Sequence, residues 1–499
     1  MDFSSLLDLW TLGTAAASIG LGLFVGLLFG ALPGLGLTIA ITLLLPLTYA
    51  MSPINAILML LAVYQAAEYA GSISAITLGI PGTVMAAPIL QDGRAMAKAS
   101  SPGKALAFSL YSSVFGGVFG AVVLVLFAQP LARFALTLGD AEFFLLGLLG
   151  LVAVTTFEAA DPLKAAISIV LGLLTGLMGL DIISGMPRMT FNVPQLFEGP
   201  SLIALVVGLF AFAELFFMMG GNMRARHQVP AEHLRLSLTW AEMRTNFKAA
   251  FAGSTIGALI GILPGVGSTV SGWLAYSAAR KLSKEPQKFG KGASEGIVGP
   301  DAANNATVGG ALLPFLTLGI PGSAAIAIIS GAFIIHGIQP GPLLARNNPG
   351  LLYAIFAGFF VTTIGLFFMA KLLNTGFVRI LVTPNAVLVP LVLMLSILGV
   401  YTYRSEFFDL WLALGISLAA VAFRKLDYSI VGFVMAVVLA PIIETSFRRA
   451  LVIANGDMMV FLHRPASAAI IALMIGMMIY AVVKSVRPRA RAAAANEPS

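Results

Sequence analysis

The sequence contains no cysteine and only four histidines, which excludes several kinds of site at once. Disulfides, thiolate nucleophiles, iron–sulfur clusters and cysteine-based zinc sites all require cysteine. The histidines are scattered and show no metal-ligand pairing; they are His227, His233, His336 and His463. We therefore expect no cofactor and no transition-metal site.

Charged residues are also scarce, at 10% of the chain, against about 25% in an ordinary soluble domain. Apolar residues make up 59%, which is more than a soluble chain of 499 residues could bury. Apolar runs long enough to cross a bilayer recur, and they predict an all-α polytopic membrane protein of about 12 spans. The net charge of +7 fits the excess of Lys and Arg in cytoplasmic loops and gives no reason to expect nucleic acid as a partner.

Two different glycine-proline motifs each occur twice, in the same order. GALPGLG at 30–36 matches GILPGVG at 261–267, and TLGIPGT at 77–83 matches TLGIPGS at 317–323. With 52 glycines, one small-residue match would mean little, but two motifs in matched order indicate a duplication. We predict a first transmembrane repeat at 10–220, a second at 245–445, a final transmembrane helix at 467–485 and a disordered cytoplasmic tail at 486–499.

Loops rich in Lys and Arg lie at different positions in the two copies. The first copy has its basic loop after the second motif, at 91–104, whereas the second copy has one before that motif, at 280–291. Because basic loops favour the cytoplasmic side, the copies are predicted to be inverted, with helical hairpins and broken helices. The rule places the N-terminus outside and the C-terminus in the cytoplasm. Whether 54–90 and 301–340 are broken spans or hairpins stays open.

Each motif is predicted to interrupt a helix inside the membrane. Proline removes a backbone donor and glycine permits positive φ, so the interruption survives only where protein or a wet cavity surrounds it. The N-terminus of the following half-helix suits a carboxylate, and the freed carbonyls with Ser and Thr oxygens suit Na⁺. Kinks that only aid packing are the alternative. Four breaks related by a pseudo-two-fold axis favour a binding site near the midplane.

Polar residues inside apolar spans are costly and usually mark a path or a site. The stretch GPDAANNAT at 299–307 places Asp301, Asn304 and Asn305 on one helix face. The alternative to a site is an interhelical hydrogen-bond cluster, and Asp301, which follows Pro300, is interpreted as a helix cap near the cytoplasmic surface. For Asn304 and Asn305 the site is favoured. Glu68 is either a cation partner or a structural hydrogen-bonding group. The candidate substrate-binding residues are Pro33, Gly34, Gly36, Thr38, Gly79, Pro81, Gly82, Thr83, Pro264, Gly265, Gly267, Ser268, Gly319, Pro321, Gly322, Ser323 and Asn304. The candidate cation-coupling residues are Asn305, Thr269, Thr77, Thr317 and Glu68, with Na⁺ as the metal considered.

Taken together, these motifs resemble the large membrane subunit of the tripartite tricarboxylate transporter family. The resemblance rests on the four glycine-proline motifs and on GPDAANNA at 299–306. It implies a permease of the bacterial inner membrane that works with a small four-span membrane subunit and a periplasmic solute-binding protein. The implied substrates are citrate and other organic carboxylates, taken up with a Na⁺ or H⁺ gradient. The sequence contains no GxxxxGK[ST] phosphate-binding loop, which fits transport without ATP.

Three functional classes compete at this point. A cation-coupled importer would work by alternating access, with one repeat moving against the other around the midplane site. A passive anion channel would not need inverted repeats or paired broken helices. An intramembrane enzyme would need a nucleophile–base pair or a metal cluster, and the sequence shows neither pattern. The sequence favours the importer, and we expect no enzymatic activity.

The inverted topology predicts opposite sides of the membrane for Ser52 and Ser283. Single cysteines placed at these positions in the cysteine-free chain should react with an impermeant thiol reagent from opposite faces. Labelling of both from the same face would contradict the inverted repeat.

Overall fold

A computed structural model of the chain describes residues 9–32, 35–157, 161–181, 184–220, 236–264, 267–380 and 385–494. The first half contains α1 (Leu9–Ala31), α2 (Gly36–Leu44), α3 (Pro53–Leu78), α4 (Leu90–Ala99), α5 (Pro102–Ala135), α6 (Asp140–Phe157), α7 (Pro162–Gly176), α8 (Leu202–Val206) and α9 (Ala213–Gly220). The second half contains α10 (Trp240–Ile262), α11 (Gly267–Leu282), α12 (Glu295–Leu318), α13 (Ala324–Ile335), α14 (Leu344–Asn347), α15 (Pro349–Ile380), α16 (Asn385–Arg404), α17 (Phe407–Lys425), α18 (Ile430–Ile453), α19 (Val460–His463) and α20 (Pro465–Ala494). Strands β1 (Gly179–Leu180) and β2 (Pro187–Arg188) form an antiparallel pair.

The helices confirm an all-α polytopic membrane protein. Among the described residues, nine helices are long and apolar enough to cross a bilayer. Helices α10 and α12 have the length of a span but more polar sequences. Helix α20 runs beyond the span predicted at 467–485 and takes in most of the segment interpreted as a disordered tail; residues 495–499 lie outside the described residues.

Both segments whose path the sequence left open fold back as hairpins. After α3 the chain reverses, so that the Gly82 amide donates to the Gly71 carbonyl at 3.1 Å, and Arg94 returns to lie beside Gly79. The second copy repeats this path after α12. There Gly322 packs against Ala311, and the Gly341 amide donates to the Leu316 carbonyl at 3.3 Å.

Small residues let the long helices approach closely and fix their relative directions. Gly22, Gly26 and Gly30 of α1 pack in order along α3, so these two helices are parallel. Gly253, Gly257 and Gly261 of α10 pack in order along α12 in the same way.

The two copies meet in opposite directions. Ser72 of α3 donates to Asp301 of α12, and Tyr64, two turns earlier on α3, bonds with Ser323, beyond the end of α12. Helices α3 and α12 are therefore antiparallel, as an inverted repeat requires.

Three segments of the predicted cytoplasmic side lie at one end of this assembly. Lys104, at the start of α5, forms an ion pair with Glu242, at the start of α10, at 2.5 Å. Asp92 accepts hydrogen bonds from the amides of Gly292 and Ala293 at 2.9 and 2.8 Å. The basic loops 91–104 and 280–291 thus lie together beside the start of α10, as one membrane face would require.

The helices form two bundles, and each bundle contains parts of both copies. We call α1–α5 with α10–α15 the core bundle, and α6–α9 with α16–α20 the outer bundle. Gly172 of α7 packs on Phe433 of α18, so the copies also interlock in the outer bundle. The main packing between bundles is made by α2, the 3₁₀ turn after it, and α13. A movement of one repeat against the other, as the sequence suggested, would have to separate the interlocked helices of both bundles.

The close packing of α10 on α12 predicts a strong effect of one methyl group. A Cβ at Gly257 would lie 2.1 Å from the Ala303 carbonyl oxygen, so the backbone would have to shift. We expect Gly257→Ala to destabilise the purified protein by about 1–3 kcal/mol, seen as a lower thermal denaturation midpoint. Gly415→Ala is the matched control, since nothing lies within 4 Å of its Cβ position. Equal midpoints for the two variants would contradict this packing.

Candidate functional site

The first motif of each copy ends one helix and starts the next after a short turn. Helix α2 begins at Gly36 with φ +64°, and α11 begins at Gly267 with φ +65°. Glycine suits both positions because other residues rarely adopt this conformation. The candidates Pro33, Gly34 and Gly265 lie outside the described residues, as does the side chain of Thr269.

The second motif uses a left-handed glycine to end its helix. Gly79 and Gly319 are the C-caps of α3 and α12, both with φ +77°. Pro81 and Pro321 lie in the reversing segments that follow, and Gly82 and Gly322 then pack against the first break of their own copy, near the carbonyls of Gly30 and Gly261. Within each copy, the two breaks therefore touch.

A cavity of about 590 Å³ lies where the four breaks meet. Residues that directly follow each break line one side of it: Leu37, Thr38, Val84, Met85, Gly267, Ser268, Val270, Ser323, Ala324 and Ala325. The other side belongs to the outer bundle, with Phe157 and the segment from Arg424 to Val431. The cavity therefore lies on the boundary between the bundles. The first turns of α2, α11 and α13 all border it, so three helix N-termini with their partial positive charge face the same space.

Each copy makes one hydrogen bond to the second break of the other copy. The Tyr64 hydroxyl lies 3.1 Å from Ser323 Oγ, and Asn304 Nδ2 donates to the Met85 carbonyl at 3.0 Å. Tyr64 also lines the cavity. These bonds connect the cavity-lining segments of the two copies across the pseudo-two-fold axis.

Glu68 lies behind the cavity wall. It is fully buried, and it accepts a hydrogen bond from Ser268 Oγ at 2.8 Å. Its second carboxyl oxygen has no hydrogen-bond partner among the described residues. Ser268 therefore touches both the cavity and a buried acid.

The remaining candidates lie away from the cavity wall. The hydroxyls of Thr77 and Thr317 each donate to a carbonyl one turn back in their own helix, at 2.6 Å. Asn305 is buried and donates to the Asp301 carbonyl at 3.2 Å. Thr83 packs against Gly71, behind the second break of the first copy.

The interpretation of Asp301 as a helix cap is wrong. Helix α12 begins at Glu295, so Asp301 lies inside it, and its side chain is fully buried. Ser72 of the other copy donates to Asp301 Oδ1 at 2.7 Å. Asp301 is therefore part of the interior between α3 and α12.

Sequence reasoning missed the part of the cavity contributed by the outer bundle. Arg424 forms an ion pair with Glu214 and lies over the Phe217 ring, 5.3 Å from its centroid. In the sequence, Arg424 and Asp427 look like ordinary charges at span ends. Only the distances between spans reveal that this loop borders the breaks.

The cavity geometry predicts different reactivity for two buried serines of the same region. Ser323 lines the cavity, whereas Ser330, two turns later in α13, is buried away from it. A cysteine at Ser323 should react with a small charged methanethiosulfonate reagent, and a cysteine at Ser330 should not. Equal protection at both positions would show that the cavity is not accessible to water.

Comparison with known proteins supports the motif pattern. The sequence model of the tripartite tricarboxylate transporter TctA family matches residues 17–435. An uncharacterized 52.8 kDa protein in the TAR-I ttuC' 3' region of Agrobacterium vitis is 34% identical over 469 residues, which cover 94% of this chain and 93% of that protein. A protein in the TAR-II ttuC' 3' region of the same organism is 33% identical over 233 residues, which cover 47% of this chain and 96% of that protein. No solved structure matches the chain.

The family match includes all four breaks and the polar stretch of α12. The family is one of transporters, and the match extends over the membrane helices and the residues that line the cavity. The chain is a multi-pass membrane protein and belongs to the tripartite tricarboxylate transporter TctA family.

Proposed function

We propose that this chain is the permease of a binding-protein-dependent secondary transporter that imports tricarboxylates or related organic carboxylates. The observation that carries the proposal is the cavity at which all four breaks converge. A partly open cavity bordered by three helix N-termini suits an anion. Family membership supports the same substrate class.

The substrate carboxylates would bind to the first turns of α2, α11 and α13. Thr38, Ser268 and Ser323 line the cavity at the first turns of these helices, and Ser323 Oγ already accepts from the Ile326 amide. Arg424 adds a positive charge at the wall of the outer bundle, although Glu214 already balances part of it. Several weak donors and few formal charges would let the anion enter and leave.

The substrate cavity has a volume suited to a small organic ligand. Pockets for such ligands usually measure about 300–1,000 Å³, and this one measures about 590 Å³. The bacterial inner membrane, the small membrane subunit and the periplasmic binding protein belong to this proposal as the expected setting, with a Na⁺ or H⁺ gradient as the driving force.

Alternating access would move the core bundle against the outer bundle. Hydrogen bonds that cross between copies hold the core bundle together, among them Glu68 with Ser268 and Ser72 with Asp301. Gln65 of α3 likewise donates to Thr363 of α15 at 2.8 Å. The boundary between the bundles, in contrast, already contains the cavity. Sliding at this boundary would expose the substrate to either side without breaking the buried polar contacts.

Reconstitution tests the proposed function directly. The permease and its small subunit in proteoliposomes, supplied with binding protein, should take up labelled tricarboxylate when a Na⁺ or H⁺ gradient is imposed. Thr38→Val should weaken the apparent affinity by about 2- to 10-fold, because a cavity hydroxyl is lost at constant side-chain volume. Thr255→Val is the control, since Thr255 lies half-buried on α10, does not line the cavity, and donates to the Phe251 carbonyl of its own helix. Uptake that ignores both gradients would instead indicate a passive channel.

A further inference from the structure

Six residues on three helices of the core bundle form a closed circuit of contacts. Glu68 bonds Ser268, Gly272 packs against the Asn304 amide oxygen, and Asp301 bonds Ser72. Each of these contacts joins two different helices.

The circuit closes because its remaining members lie one helical turn apart. Ser268 and Gly272 are neighbours on α11, Asn304 and Asp301 on α12, and Ser72 and Glu68 on α3. Residues three or four apart on a helix lie on the same face, with Cβ atoms about 5–6 Å apart. The six residues therefore lie together where α3, α11 and α12 meet.

Three oxygens of this circuit lack hydrogen-bond partners among the described residues. They are Glu68 Oε2, Asp301 Oδ2 and Asn304 Oδ1. All three side chains are fully buried. Ser109 of α5 lies beside the Asp301 carboxyl, but not in a geometry that makes a hydrogen bond. Buried polar atoms are normally paired, so these three oxygens have free lone pairs for a further ligand.

The chemistry of these oxygens fits a hard cation. Carboxylate and amide oxygens are the ligands of hard cations, and an amide oxygen gives no stable site for a proton. Asp301 is the charged side chain that interacts electrostatically with Glu68. The other titratable groups on this face of α3 are two tyrosines, Tyr64 and Tyr69. No basic side chain bonds either carboxylate within the described residues.

We propose that Glu68, Asp301 and Asn304 bind Na⁺, with the hydroxyls of Ser268 and Ser72 beside them. This inference rests on the proposed function for its role as the coupling site. It differs from the candidates drawn from the sequence, because Thr77, Thr317 and Asn305 are engaged within their own helices and Asp301 takes their place.

Ser268 connects the cation site to the anion cavity. Its hydroxyl has one hydrogen, which Glu68 accepts in this structure, and the same residue lines the cavity. A Na⁺ ion on Glu68 would neutralise the carboxylate and release this hydrogen toward a substrate carboxylate. Cation binding would thus strengthen anion binding without any movement of the backbone.

Binding of ²²Na⁺ to the purified, detergent-solubilised chain tests the site without requiring transport. The wild-type protein should bind ²²Na⁺ saturably in choline buffer at neutral pH. Glu68→Gln and Asp301→Asn should lose this binding. Glu142→Gln is the matched control and should retain it, because Glu142 is equally buried but is bonded to Arg464 and Ser467 in the outer bundle.

Each outcome is decisive. Absence of saturable binding to monodisperse wild-type protein overturns the site, even if the variants fail to fold. Unchanged binding in well-folded Glu68→Gln and Asp301→Asn also overturns it, as does carboxylate uptake driven by H⁺ alone with no ²²Na⁺ bound. Saturable Na⁺ binding that both variants lose, in a protein that transports no carboxylate, would support the site and reject the proposed function.

Discussion

This structure depends on one constraint. Every backbone N–H and C=O group inside the membrane needs a hydrogen-bond partner within the protein. Hydrocarbon offers no hydrogen-bond partner for a free amide or carbonyl. A helix can therefore end there only where other parts of the protein provide those partners. The reversing segment after α3 meets this condition by packing on small residues, with the Gly82 amide bonded to Gly71. The segment after α12 packs on Ala311 and Gly261 in the same way. The core bundle must therefore be dense and rich in glycine, and the cavity lies beside its breaks.

The same density decides which parts of the molecule can move. Polar side chains from opposite copies pair in the interior of the core bundle, where Ser72 bonds Asp301 and Asn304 bonds the Met85 carbonyl. Separating the copies would leave these groups unpaired in a medium that cannot hydrate them. The boundary between core and outer bundles shows no comparable polar seam among the residues that the structure describes, and the contact is made largely by apolar helices such as α2 and α13. Division into bundles, and not division into repeats, is therefore the physical basis that we propose for alternating access.

Much of this architecture could be predicted from the sequence, because lipid imposes simple patterns. Apolar runs indicated the spans, the repeated motifs indicated the breaks, and the basic loops indicated the inverted copies. The division into bundles could not be predicted, since a helix face toward lipid and one toward another apolar helix have the same composition. Asp301 was misinterpreted because Pro300 resembles a helix start, whereas its partner Ser72 lies 229 residues away in the chain. Thr77 and Thr317 fit a cation site by residue type, but their hydroxyls bond their own helices.

The relative movement of the bundles is the claim on which the functional account stands. Nitroxide labels at Ser52 and Asn347 lie on the core bundle in different copies, and a label at Asp457 lies on the outer bundle, all at exposed positions. Pulsed electron–electron distance measurements in lipid should show an unchanged distance between positions 52 and 347 when substrate and cation are added. The distance between 347 and 457 should shift or broaden under the same conditions. A change between 52 and 347 with a constant distance between 347 and 457 would contradict the account.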